Sequence, residues 1–417
     1  MNSMESRSDR KPVQKQNKGY RSMDNKYGVP VTLLRFLGAC VYGDARAYYA
    51  GLKEAGRAEL EEQGKCFGMI PWFYRYLHDV LPEGKRAEYQ KNYQARQIKA
   101  IMEAKELHRF YQELVSRGLR FVPIKGADLA YRAYPDAALR VVGDWDIWFH
   151  PEDCERALAV LAEDGWKVMK YYSNDHEAVR KTARHHFSPH KRGAYMLEPH
   201  FTLSRFEGID SYEMWEHTVE YPAGAGQRLL SNEMNLLMLT RHASSMSYYH
   251  ASIPKLLVDA AMVMKEKIDF EKLRELAARW RLPYPGDLLA AFPEFFPAEV
   301  IEKFGADRMK ADEFRRIFEL RGQLGEPESI ALVLSKFEVR GQMVGGVVKH
   351  IRTLGPDRIR LIYHLPRHGA WGRVAWSYLC WFFTRSRDAI LWMILGDRKL
   401  KNYGRMVEEI ESDSSLS

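Results

Sequence analysis

The sequence predicts an α+β fold: a small mixed β-sheet core between a helical N-terminal lead-in and a helical C-terminal extension. Three observations carry this. The stretch 121–149, FVPIKGADLAYRAYPDAALRVVGDWDIWF, reads as strand, glycine turn, helix, proline stop and second strand. The stretch 185–204, HHFSPHKRGAYMLEPHFTLS, alternates as two strands around a turn at Lys191 to Gly193. Both flanks of this region carry apolar residues at helical spacing.

Residues 1–29 are polar and basic and lack the apolar core of a signal peptide, so a disordered tail and no secretion are expected. Residues 30–118 form the lead-in. VTLLRFLGACVYG and ARAYYAGLKEAG have helical spacing, CFGMIPWFYRYLHDV is broken near Pro71, and a long helix runs from about Lys85 to Gly118. In that helix Ile98, Ile101, Leu107, Phe110, Tyr111 and Leu114 form a stripe expected to be core. Gly118 ends it and feeds the apolar run Phe121 to Ile124, a buried strand.

The core is expected over 119–222. Lys125-Gly126 turns the chain into ADLAYRAY, a helix that Pro135-Asp136 stops, because proline lacks the amide and clashes with the preceding turn. Then Asp144 and Asp146 stand two apart in VVGDWDIWF. On a strand that spacing aims both carboxylates at one spot. Like charges so close need a cation, and hard oxygen ligands suit Mg²⁺ or Mn²⁺. PEDCERALAVLAEDGW follows as a helix with a proline start and glycine stop, then DHEAVRKTAR as a shorter one. Beside the strand of Asp144, the hairpin would add Glu198 as a third carboxylate, in a sheet backed by helices on one face. His185, His186, His190 and His200 crowd the hairpin, but their faces and the lack of a cysteine partner argue against zinc.

The stretch IKGADLAYRAYPDAALRVVGDWDIWFHPEDCERALAVLAEDGW resembles the bacterial "uncharacterised nucleotidyltransferase" family, within the DNA-polymerase-beta-like nucleotidyltransferase superfamily. The matching pieces are Lys125-Gly126, Tyr134-Pro135, Arg140, the Asp144/Asp146 pair, the helix from Pro151 to Gly165, and Glu198 two residues before His200. The resemblance implies a transferase that moves an NMP from an NTP to an acceptor it does not identify, with pyrophosphate leaving. It implies Asp144, Asp146 and Glu198 as metal-binding and catalytic residues, and Lys125, Gly126, Arg140 and His200 around the nucleotide. By their chemistry, Lys125 serves the phosphates or the acids or is a surface charge, and His200 orients Glu198, touches the triphosphate or is a hydrogen-bonded structural histidine. The wider superfamily's Gly-Gly or Gly-Ser turn is Gly126-Ala127 here, so backbone amides alone would meet the phosphates. A non-catalytic nucleotide- or partner-binding protein on the same fold is the alternative, and a membrane-surface protein of cell-envelope glycan biosynthesis is a third reading.

Residues 221–227, YPAGAGQ, read as a linker, and 228–417 as helical: SNEMNLLMLTRHASSMSYYH, SIPKLLVDAAMVMKEK and DFEKLRELAARWRL. The family likewise has a histidine-bearing helix and then a helix with an inner aspartate, here His242 and Asp259. Asp259 beside Lys255 also fits an ordinary helix charge pair. Residues 283–300 are proline-rich and loop-like, with helices resuming near Asp312. Within 371–396, VAWSYLCWFFT and AILWMILG fall short of the roughly 20 apolar residues of a membrane span. They fit either a buried helical pair or a peripheral anchor on the inner membrane, with Trp371, Trp376, Trp381 and Trp392 at the boundary.

Composition bounds the rest. At 417 residues and 46% hydrophobic content, the chain has room for a globular core with large additions. The net charge of +8 comes from 63 Lys and Arg against 55 Asp and Glu, a modest excess that selects no anionic partner; nucleic acid is not an expected one. Cys40, Cys66, Cys154 and Cys380 lack metal or disulfide spacing, which suits a reducing cytoplasm.

Overall fold

The computed structural model describes residues 29–169, 185–203, 206, 209–221, 226–245, 253–312, 314–315 and 375. The expected N-terminal tail, the helix at 175–184 and all but one residue of 371–396 lie outside them.

The lead-in comprises α1 (Val31–Tyr42), α2 (Ala45–Gly51), α3 (Glu54–Cys66), α4 (Ile70–Leu77) and α5 (Glu83–Ser116). Asp44 caps α2 by accepting from the amides of Arg46 and Ala47, donors that a helix start leaves free. Pro71 opens α4 rather than breaking it, since a first-turn proline gives up no helical hydrogen bond. In α5 the expected stripe splits. Leu107, Phe110 and Leu114 are buried, whereas Ile98 and Ile101 are 61% and 70% exposed. The buried line of this 34-residue helix runs through Tyr89, Tyr93, Glu103, Leu107, Phe110 and Leu114, and Ile98 and Ile101 lie off it.

The core follows as β1 (Phe121–Ile124), α6 (Gly126–Arg132), a 3₁₀ turn (Ala137–Leu139), β2 (Trp145–Phe149), α7 (Cys154–Glu163), β3 (Lys167–Val168), β4 (His190–Arg192) and β5 (Tyr195–His200). The sheet order is β1-β2-β5-β4-β3. Strand β2 pairs antiparallel with β1 and parallel with β5, which makes the sheet mixed. Gly193, at φ 58°, turns β4 into β5, a conformation that favours glycine.

The sheet is covered on both faces, not on one. Phe121, Ile147, Phe149 and Leu197 pack with Phe110 and Leu114 of α5 and Ala157 and Leu161 of α7. Val122, Ile124 and Trp148 belong instead to a larger core with Phe36 of α1 and Trp72 of α4. Each fully buried aromatic of this kind contributes about 2–3 kcal/mol. Asp146 shares the second face, because residues two apart on a strand point the same way and Trp148 lies there.

Further along are α8 (Ser211–Glu216), β6 (Thr218–Glu220), β7 (Arg228–Leu230), α9 (Asn232–Ser245), α10 (Ile253–Val263), α11 (Phe270–Arg279), α12 (Pro285–Ala290) and α13 (Ala298–Phe304). Part of the expected linker is structural: the Phe121 amide donates to the Gly226 carbonyl at 3.1 Å, and Phe121 bridges Gln227. Gly226 has φ 96°, and a Cβ there would stand 2.9 Å from the Leu119 carbonyl oxygen. The segment 283–300 holds α12 and the start of α13 rather than a loop, because Pro285 and Pro297 stand at the starts of the two helices. No helix among the described residues is long and apolar enough to cross a membrane.

Candidate metal centre

Strand register builds the centre. The parallel pairing of β2 with β5 sets Asp146 opposite Glu198 and Trp148 opposite His200. Residues opposite one another on neighbouring strands face the same side, as do Glu198 and His200, two apart on one strand. One ligand atom each from Asp146, Glu198 and His200 therefore falls within 4.8 Å of the others. Asp146 and His200 are buried and Glu198 half-buried.

Two donors converge on a single oxygen of Asp146. Lys125 Nζ donates to Oδ1 at 2.8 Å and His200 Nε2 at 2.9 Å. Burial alone would raise the Asp146 pKa, but the ammonium and the imidazole hold it far below the usual carboxylate range. Burial pulls Lys125 down, and Asp146, Glu198 and Asp144 more than compensate, so it stays charged. Lys125 reaches this position from a backbone at φ 54° and ψ −128°, where a non-glycine residue is strained. Such strain at a ligand-facing side chain costs about 1–3 kcal/mol and persists only when neighbours enforce it.

Asp144 lies on the bend before β2, not in the strand, so the alternation expected for the Asp144/Asp146 pair starts one residue too late to include it. It is half-buried outside the group of three, though close enough that burial and then the Asp146 charge raise its pKa. Glu198 is pushed up to about 7 by burial, then by Asp146 and Asp144. A like-charged pair in register wants a cation, and the Lys125 ammonium supplies part of one.

Arg140 does not present an open fork. Its Nε and Nη2 grip Asp259 Oδ1 and Oδ2 at 2.7 and 2.8 Å, and its Nη1 donates to the Val141 carbonyl. The Tyr134 hydroxyl adds a third donor to Asp259 at 2.6 Å. Arg140 thus ties the approach to β2 to helix α10, and Asp259 is its partner rather than a member of a pair with Lys255. Gly126 has a structural reason to be glycine: a Cβ there would stand 3.3 Å from Arg140 Nη1. The histidines form a ring cluster, with His185–His186 centroids 4.6 Å and His185–His200 centroids 5.3 Å apart. Burial, with His200 nearby, lowers His186 to about 4. His190 lies apart, its Nδ1 on the Ser188 carbonyl at 2.8 Å.

Glu198 gives a pH prediction for the metal-free protein. Its folded pKa lies above a glutamate's ordinary 4.5, so the folded state holds the proton longer and stability falls as pH rises from about 4.5 to about 7. The loss is about 3 kcal/mol. In chelator, the melting temperature should drop between about pH 5 and about pH 7.5, and Glu198→Gln should flatten that slope.

A mixed sheet after a strand–turn–helix entry is the framework the sequence anticipated, and at one point on it stand Asp146, Glu198 and His200 rather than the expected three carboxylates. Residues 59–290 match the model of the uncharacterised nucleotidyltransferase family. That is more than half of the 417 residues, and the chain belongs to this family. No curated protein and no solved structure matches it.

Proposed function

We propose that the protein transfers a nucleoside monophosphate from a nucleoside triphosphate to a hydroxyl-bearing acceptor, with pyrophosphate leaving. The observation that carries this reading is the β2–β5 register, which sets Asp146 and Glu198 side by side. The donor set fits a divalent cation: two carboxylates and an imidazole within 4.8 Å, with a lysine ammonium already drawn to them. Asp146, Glu198 and His200 would hold the ion, with Asp144 at the edge. Carboxylates alone suit Mg²⁺, and an imidazole in the shell shifts the preference toward Mn²⁺. A bound ion in such a site neutralises charge on the phosphate oxygens.

The chain's own residues do the rest. Glu198, titrating near neutrality, suits the task of taking the proton of the attacking hydroxyl. That oxygen forms the new bond to the α-phosphorus while the bond to the pyrophosphate oxygen breaks. Lys125 balances the acids, and in the ion-free protein His200 holds Asp146 in its orientation. One feature favours a second reading, a binding module without turnover: Lys125 and His200 together engage the same Asp146 oxygen.

The test incubates purified protein with extract of its own host, Mg²⁺ or Mn²⁺, and each of ATP, GTP, CTP and UTP labelled at the α-phosphorus. Label should pass to a metabolite or macromolecule and reveal both base and acceptor. A folded protein that transfers label from none of them, with either metal, favours the binding module.

A further inference from the structure

The acids need cations opposite them to receive a polyphosphate, and the two basic residues the sequence offers for it, Lys125 and Arg140, are engaged. Arg140 is 7% exposed, and drawing it off Asp259 would leave a buried carboxylate with only the Tyr134 hydroxyl. Breaking a buried pair in that way is strongly destabilising. Lys125 is bound to Asp146.

Lys255 is different. It is half-buried in α10, between buried Pro254 and Leu256. Among the described residues it closes no hydrogen bond and no ion pair. It stands four residues before Asp259, one helical turn away on the same face. Asp259 is fastened to Arg140, and Arg140 lies four residues before Asp144 on the chain entering β2. Helix α10 therefore presents Lys255 toward the acids from the helical side. The charges feel one another: Asp259 first, and then Asp144 and Asp146, support the Lys255 ammonium, and Lys255 in turn eases the charge on Asp144. Burial, and then Arg140, still pull its proton affinity down.

A half-buried ammonium without a partner is costly, and an anion arriving from solvent would relieve it. A polyphosphate carrying a divalent cation has the matching polarity, with its cation toward the carboxylates and its free phosphate oxygens toward the lysine. Lysine, a compact point charge, is a common phosphate ligand. We propose that Lys255 is the phosphate-binding cation of the site, receiving the terminal phosphates of a metal-bound nucleoside triphosphate in the place expected for Arg140. This rests on the nucleotidyl-transfer reading.

Inorganic tripolyphosphate with Mn²⁺ is the probe, because it needs no knowledge of the base. By titration calorimetry Lys255→Met should weaken binding about tenfold to hundredfold, the size of a hydrogen bond to a charged group. Lys255→Arg, which keeps the charge, should stay within about threefold. In the unaltered protein, tripolyphosphate should slow acetylation of Lys255, read by mass spectrometry, while leaving exposed Lys53 unchanged. This footprint needs no variant to fold. Equal binding by Lys255→Met, or no protection of Lys255 when tripolyphosphate binds, overturns the inference alone. A wild-type protein that binds no tripolyphosphate overturns it together with the reading beneath it.

Discussion

Asp146→Asn should reduce nucleotidyl transfer by about a thousandfold or more, corresponding to several kcal/mol of lost charge stabilisation. Asp146 is the only carboxylate in direct register with Glu198, and it receives both Lys125 and His200. The amide keeps the shape and removes the charge that a cation requires. The fold should survive, because Lys125 still senses Glu198 and Asp144, and Glu198 loses its like-charged neighbour. Asp144→Asn should cost less, since Asp144 lies outside the strand and the three-residue group. Initial rates with α-labelled triphosphate, beside melting by circular dichroism, separate the two effects. Turnover by Asp146→Asn within tenfold of wild type would remove the metal-centre proposal.

Asp259→Leu should destabilise the protein by about 3–5 kcal/mol, because it leaves the Arg140 guanidinium buried without its counter-charge. Tyr134 loses its acceptor at the same time. Arg140→Leu should cost a similar amount by stranding Asp259. The double variant should recover a large part of the loss, since an apolar pair of similar volume often replaces a buried ion pair at little cost. A double-mutant cycle in urea should therefore give a coupling of about 2 kcal/mol or more. Single variants costing under about 1 kcal/mol would show that this bond does not fasten α10 to the core.

Both results turn on what the sequence did and did not make legible. The entry β1–α6–β2 was readable because each boundary has a local cause: an apolar run, Gly126, and Pro135 stopping the helix. The alternation of the hairpin put Glu198 and His200 on one strand face, whereas the pairing of β5 with β2 that brings them to Asp146 was a condition the sequence left open. The failures are non-local. Nothing near Arg140 announces that its fork closes on Asp259, 119 residues away. Ile98 and Ile101 keep helical spacing with each other, but the buried line of α5 passes through Tyr89, Tyr93, Glu103 and Leu107, so they stay exposed. Asp144 misses the strand by one residue, a boundary that periodicity does not resolve. The second covered face of the sheet is built from α1, α4 and later helices, far apart in sequence.

The central claim, that Asp146 and Glu198 in register form a cation site, is tested most directly by Mn²⁺ titration followed by electron paramagnetic resonance. Free Mn²⁺ signal should disappear as the wild-type protein binds it. Asp146→Asn and Glu198→Gln should each weaken that binding about a hundredfold or more, with affinity in the wild type rising as pH approaches about 7 and Glu198 gives up its proton. Binding of equal strength by all three proteins, or none by the wild type, would contradict the account.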